Sequence, residues 1–141
     1  MEPTVASSHP AGSRRDANEA AIRRYCAAWR AGDLAALIEC YDDDVVLHYF
    51  GRSRFAGDHR GKSAALTVLA QVQQLTHRKL LEIHDVLASE DHAVILARER
   101  FERDGRQVES RRVLVYHLRD GKLAEAWIYD DDQRAVDELW S

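Results

Sequence analysis

The sequence predicts an α+β fold in one domain, with helices first and an antiparallel meander after them. Apolar residues recur at helical spacing through the first half; from His77 they run as strands broken at Ser89-Glu90-Asp91, Asp104-Gly105 and Asp120-Gly121. A chain of 141 residues, 45% of them hydrophobic, has room for one sizeable core and not for two. Elements in this order imply a curved sheet wrapped around the helices.

Residues 1 to about 15 are rich in Ser, Gly, Pro and charge, and predict a disordered tail ahead of a domain over residues 16–141. Ile22, Tyr25, Cys26 and Trp29 then mark one helical face, which Gly32 ends. Asp33 caps a second helix whose face is Leu34, Leu37, Ile38 and Tyr41. The β-branched and aromatic run from Val45 to Phe50 predicts a strand, and a long Gly-punctuated turn follows it to Gly61. A third helix buries Leu66, Leu69 and Val72, so three helices precede the main sheet. Four strands follow, antiparallel by their short links, and a short helix over Gln133–Trp140 comes last.

A two-residue turn at Asp104-Gly105 places Phe101 opposite Val108, Glu99 opposite Ser110 and Ala97 opposite Arg112. The more apolar face of this hairpin, carrying Ile95, Glu99, Phe101, Arg112, Leu114 and Tyr116, belongs inside. Glu99 and Arg112 are then diagonal neighbours, and burial requires that they pair. The last hairpin leaves two registers open. A two-residue Asp120-Gly121 turn points Trp127 and Tyr129 inward, whereas a bulged three-residue turn through Arg119 points Ala126 and Ile128 inward.

A formal net charge of -4 gives no basic patch for nucleic acid or an anionic membrane, and the first twenty residues lack the apolar run of a signal peptide or a membrane span. Cys26 and Cys40 have neither CxxC spacing nor a disulfide pattern, and read as reduced thiols of a cytoplasmic protein. His77, His84 and His92 lack metal-ligand spacing, no Gly-rich phosphate loop or GxSxG elbow occurs, and neither a metal nor another cofactor is expected. Asp130 to Asp132 read as a solvated helix N-terminus. The expected partners are a small molecule and a second copy of the chain.

The stretch DDDVVLHYFGRSRFAGDHRG from Asp42 to Gly61 puts His48, Tyr49 and Phe50 at the end of a strand. With the helix RYCAAWRAGDLAALIECY before it and RRVLVYHLRDGKLAEAWIYDDDQRAVDELW at the end, it resembles the SnoaL-like branch of the nuclear transport factor 2-like superfamily. That superfamily also holds ketosteroid isomerase and limonene epoxide hydrolase. The resemblance spans Ala17 to Trp140 and implies a cone with an apolar interior, often dimeric through the outer sheet face.

By that resemblance Tyr25 matches the isomerase's oxyanion-donating tyrosine. Counted back from Gly51, His48 takes the place of the catalytic carboxylate; counted forward from Tyr41-Asp42, Tyr49 takes it. A His suits proton transfer near neutral pH. Leu114 stands where the isomerase has its protonated Asp, a site that is itself a standard example of a carboxylic acid kept neutral. Arg112 matches the Arg of the epoxide hydrolase's Asp-Arg-Asp set, with Leu114 and Ile128 in place of the acids, so Glu99 would have to substitute. The expectation is a cofactor-free acid-base enzyme acting on a largely apolar polyketide-, terpenoid- or steroid-like molecule, by isomerisation, cyclisation or hydration. His48 would move the proton, and Tyr25 with Arg112 or Tyr116 would stabilise negative charge. Trp29, Tyr49, Phe50 and Phe101, together with Leu114, Tyr116 and Ile128, would line the pocket, and His59 is either at its mouth or in solvent. An epoxide-opening enzyme using Glu99 and Arg112, or a non-catalytic binding or dimerisation module, are the alternatives.

Overall fold

The computed structural model describes the backbone of residues 10–141, with side chains from Arg14 onward. Helix α1 (Pro10–Ala31) already includes residues 10–15 of the expected tail, and the rest of that segment lies outside the described residues. Ile22, Tyr25 and Cys26 of α1 are buried as their spacing requires. Gly32 ends the helix at φ 67°, and the Asp33 carboxylate caps α2 (Leu34–Glu39) by accepting from the Ala36 amide at 3.1 Å.

Several local expectations need correction. No residue of α2 is buried, Leu34 is among the exposed large hydrophobics, and Tyr41 belongs to the following strand. That strand, β1 (Tyr41–Tyr49), starts four residues before Val45. The Gly-punctuated segment is also not only a turn, because Gly57–Arg60 pairs with β1 as a short edge strand, β2. Helix α3 (Lys62–Thr76) buries Ala65, Val68, Val72 and Thr76, so its inner face is turned from the expected one and Leu66 and Leu69 flank it.

Strands β3 (Lys79–Ala88), β4 (His92–Arg103), β5 (Arg106–Arg119) and β6 (Lys122–Asp130) form the expected antiparallel meander. Strand β1 joins it parallel to β6, giving a six-stranded sheet in the order β2-β1-β6-β5-β4-β3. Asp104 and Gly105 both have positive φ, the type I′ turn that fits the twist of flanking strands, and Phe101 faces Val108 as predicted. Helix α1 packs on β3 and β4, and α3 on β1 and β2. The last helix, α4 (Gln133–Trp140), caps with Asp132 and packs on β4, β5 and β6.

The last hairpin combines features of both registers. Asp120-Gly121 is a two-residue turn with positive φ at both positions, and Leu118 faces Leu123. A bulge then inserts Ala124, so that His117 faces Glu125 and every later pair is shifted by one. Ala126 and Ile128 therefore point into the core, while Trp127 and Tyr129 point out.

Candidate functional site

The inner faces of β4, β5 and β6 converge on a buried chain of charges. Arg112 Nη1 donates to Glu99 Oε2 at 2.9 Å, and Arg112 Nε to Asp130 Oδ1 at 2.7 Å. Arg78, at the entry to β3, adds Nε to Glu99 Oε1 at 3.1 Å, and Ser110 Oγ donates to Asp130 Oδ1 at 2.6 Å. The side chains of Glu99, Arg112 and Asp130 are 0%, 1% and 3% exposed. Two guanidiniums face two carboxylates, so the buried charge is balanced, the condition under which such groups stay ionised away from water. Burial works against the charged form of Arg112, yet Asp130 and then Glu99 hold it firmly protonated.

The pairing of Glu99 with Arg112 follows the predicted register. Asp130 does not behave as expected: it is not a solvated helix terminus but the second carboxylate on Arg112. Asp132, two residues on, performs the capping role.

Beside the charges lies a cluster of phenols. Tyr25 and Tyr41 share a 2.6 Å hydrogen bond, and the Tyr116 ring is 5.6 Å from that of Tyr25. Burial pushes all three hydroxyls well above their ordinary range, so near neutral pH they are proton donors. Tyr41 was missed because its spacing fits the preceding helix. Phe101, Leu114, Ile128 and Tyr49, expected to line a pocket, are packed into the buried core instead.

Trp29 and Arg78 line an open cleft of about 610 Å³ with Leu80 and Ile83, between the end of α1 and β3. Arg78, which also holds Glu99, is shared between this cleft and the charges, whereas Glu99, Arg112 and Asp130 do not line it. Helix α4 covers them from another side, with the Arg112 guanidinium 5.6 Å from the Trp140 ring. His59 is part-buried on β2, its Nε2 donating to the Phe55 carbonyl at 2.7 Å, rather than standing free at a mouth.

His48 does not join Tyr25 and Arg112. In β1 the buried side chains are Tyr41, Val45, Leu47 and Tyr49, so pleating sends His48 to the outer sheet face. There its Nδ1 meets Asp58 Oδ1 at 2.7 Å and its Nε2 meets Glu125 Oε2 at 2.5 Å, while its ring stacks on Trp127 at 5.5 Å. Burial lowers its pKa, but hydrogen bonds to Glu125 and Asp58 outweigh this and raise it, favouring an imidazolium that donates from both nitrogens. Phe50 is outside too, 39% exposed and stacked on Tyr129 at 5.0 Å. Among the described residues no group of three or more His, Cys, Asp or Glu is placed to hold a metal ion, and no helix is long and apolar enough to cross a membrane.

Comparisons with known proteins agree with this architecture. The uncharacterized protein Rv0034 of Mycobacterium tuberculosis is 27% identical over 128 residues, covering 89% of this chain and 98% of its own. Among solved structures, Bal32a from a soil-derived mobile gene cassette superposes with a TM-score of 0.83 at 29% identity, covering 91% of this chain and 99% of that one. An LEH-like epoxide hydrolase from M. tuberculosis, at 16% identity and a TM-score of 0.64 over 89% of this chain and 90% of its own, shares the fold. The SnoaL-like domain family matches residues 22–126, and the chain belongs to that family.

Proposed function

We propose that the protein is a cofactor-free acid-base enzyme acting on a largely apolar small molecule, with its chemistry in the Glu99, Arg112 and Asp130 chain. The observation that carries this reading is four ionisable side chains, Arg78, Glu99, Arg112 and Asp130, linked within a core that apolar residues could have filled. Such a chain is no better for stability than well-packed hydrophobic residues, so its use in proton transfer and charge stabilisation is the simpler account. Asp130 or Glu99 would take up a proton, Arg112 would hold developing negative charge, and Tyr25, Tyr41 and Tyr116 would serve as neutral donors. His48 has no part in this arrangement.

Isomerisation, cyclisation and hydration are all within reach of these groups. Epoxide opening is the second reading, because Asp130 supplies the acid that Leu114 and Ile128 do not, restoring two carboxylates about one guanidinium. The LEH-like epoxide hydrolase has the same fold, which is compatible with that route. The partner at the outer sheet face is proposed to be a second copy of the chain, since Phe50, Val113 and Tyr129 are exposed there.

A panel of apolar epoxides and conjugated polycyclic ketones, followed by mass spectrometry in ¹⁸O-labelled water, tests the reading. At least one compound should be converted, with ¹⁸O incorporated if the reaction is hydration or epoxide hydrolysis. Asp130→Asn, checked for folding by circular dichroism, should lower turnover about 10²-fold or more. Unchanged turnover in a folded Asp130→Asn protein would remove the charge chain from the mechanism.

A further inference from the structure

We propose that the aromatic box holding Trp140 is a binding site for a planar aromatic molecule of about indole size, and that the chain's own last helix occupies it as a displaceable plug. The proposal places the apolar part of the ligand next to the charge chain and in that sense rests on the function proposed above. The box is built on separate elements. The Trp140 ring meets Tyr49 of β1 at 5.3 Å, Phe55 of the β1–β2 loop at 5.8 Å and Phe101 of β4 at 5.2 Å, each edge to face, with interplanar angles of 82°, 76° and 80°. The Arg112 guanidinium lies 5.6 Å from the same ring. Three rings and a cation around one flat occupant favour a π-rich guest.

The indole is an imperfect occupant. Trp140 is 2% exposed, and its Nε1 is the one buried side-chain nitrogen or oxygen, among the described residues, without a hydrogen-bond partner. A buried donor left unpaired carries a desolvation cost that a hydrocarbon ring of similar shape would not. A foreign ring lacking that donor would fill the box without that cost.

The plug is also held in a way that lets it leave. Helix α4 has eight residues, of which Val136, Leu139 and Trp140 are buried. Its other fastenings are polar and lie near solvent: Asp137 accepts from the Arg52 amide at 2.8 Å, and Arg103 donates to the carbonyls of Leu139, at 3.0 Å, and Ser141. Water can replace each of these bonds when the helix lifts, whereas strands β4 and β5 are paired along their length. At Gly51, whose φ is 95°, a Cβ would clash with the Asp137 carboxylate. Only a residue without a side chain permits that latch.

Naphthalene, which has no hydrogen-bond donor, is the probe. Hydrogen exchange of the full chain is followed by mass spectrometry with and without it. Exchange of α4 amides should accelerate about tenfold or more at saturating naphthalene, while β5 amides keep their protection. Asp137→Ala loosens the latch without touching the box, and should raise the apparent affinity for naphthalene about tenfold, because the competing plug is weaker. Trp140→Ala, if it folds, should bind naphthalene with no change in α4 exchange. Binding confined to Trp140→Ala would make the indole a fixed core side chain and overturn the proposal. Binding to the wild type without acceleration of α4, an unchanged affinity in Asp137→Ala, or no binding to any of the three would overturn it as well. None of these measurements uses turnover, so they stand or fall independently of the acid-base reading.

Discussion

Replacing Arg112 by Met keeps most of the aliphatic bulk beneath Trp140 but removes the charge that two carboxylates share. Four ionised groups, two of each sign, become one cation and two anions. Breaking a buried ion pair by removing one partner costs about 3–5 kcal/mol. Both carboxylates keep a second partner, Glu99 with Arg78 at 3.1 Å and Asp130 with Ser110 at 2.6 Å, which argues against the upper end. The guanidinium also lies 5.2 Å from the Phe101 ring, an attraction Met cannot reproduce. About 4 kcal/mol is the expected loss, read from urea unfolding followed by far-ultraviolet circular dichroism and extrapolated to water. Adding Asp130→Asn to Arg112→Met restores the balance of charge, with Arg78 and Glu99 as the remaining pair, and should recover about half of that loss. The two changes should thus be strongly non-additive. Single effects below about 1 kcal/mol that simply sum would show that the groups are hydrated and independent, refuting the buried chain.

Two further outcomes follow from the outer sheet face. The folded-state pKa of His48 is raised, so its bridge to Asp58 and Glu125 contributes fully below its unfolded value of about 6.5 and is lost as pH rises through the folded value. The stability difference between wild type and His48→Gln should therefore shrink from pH 6 to pH 8.5; a difference that stayed constant or grew would mean that the imidazole is held neutral. Dimerisation through this face should be abolished by Tyr129→Glu, whose parent side chain is 45% exposed beside Phe50 and Val113. Light scattering by the wild type at high micromolar concentration that returned the mass of a single chain would rule out that interface.

Legibility in the sequence followed how local the determining interaction is. The β4–β5 hairpin was readable because Asp104-Gly105 fixes its own turn type and the turn fixes the register, which gave Glu99 and Arg112 their shared interior face. Helix α1 was readable from spacing and α2 from its Asp33 cap, although Tyr41, counted on the α2 face, belongs to β1; the rotation of α3 was not readable, since Leu66 and Leu69 are at least as apolar as the residues that are buried. His48 was misplaced because two ways of counting through β1 disagreed. The alternation of Val45, Leu47 and Tyr49 decides for Tyr49 as the inward residue, against the count from Gly51. Arg78 carried no signal, standing between His77 and Lys79 ahead of an edge strand. The seat of Trp140 depends on contacts among β1, the β1–β2 loop, β4 and α4, none of which local pattern records.

One inserted residue accounts for the two groupings that the sequence did not disclose. With the Asp120-Gly121 turn and no bulge, Arg112 would face Tyr129, and Glu125, Trp127 and Tyr129 would point into the core. Ala124 shifts the pairing by one, so that Arg112 faces Asp130, and the burial of adjacent Leu123 and Ala124 marks the break in the strand's alternation. The shift delivers Asp130 to the guanidinium inside. It also turns Glu125 and Trp127 outward, where the parallel pairing of β1 with β6 sets His48 beside Trp127. A strand has only two faces, so exchanging its side chains between them moves every functional group at once. The place of Asp130 in the inner charge chain and that of Glu125 in the outer imidazole bridge are therefore two consequences of the same bulge, and a change that erased it would remove both carboxylates together, leaving Glu99 with Arg112 and Arg78, and His48 with Asp58.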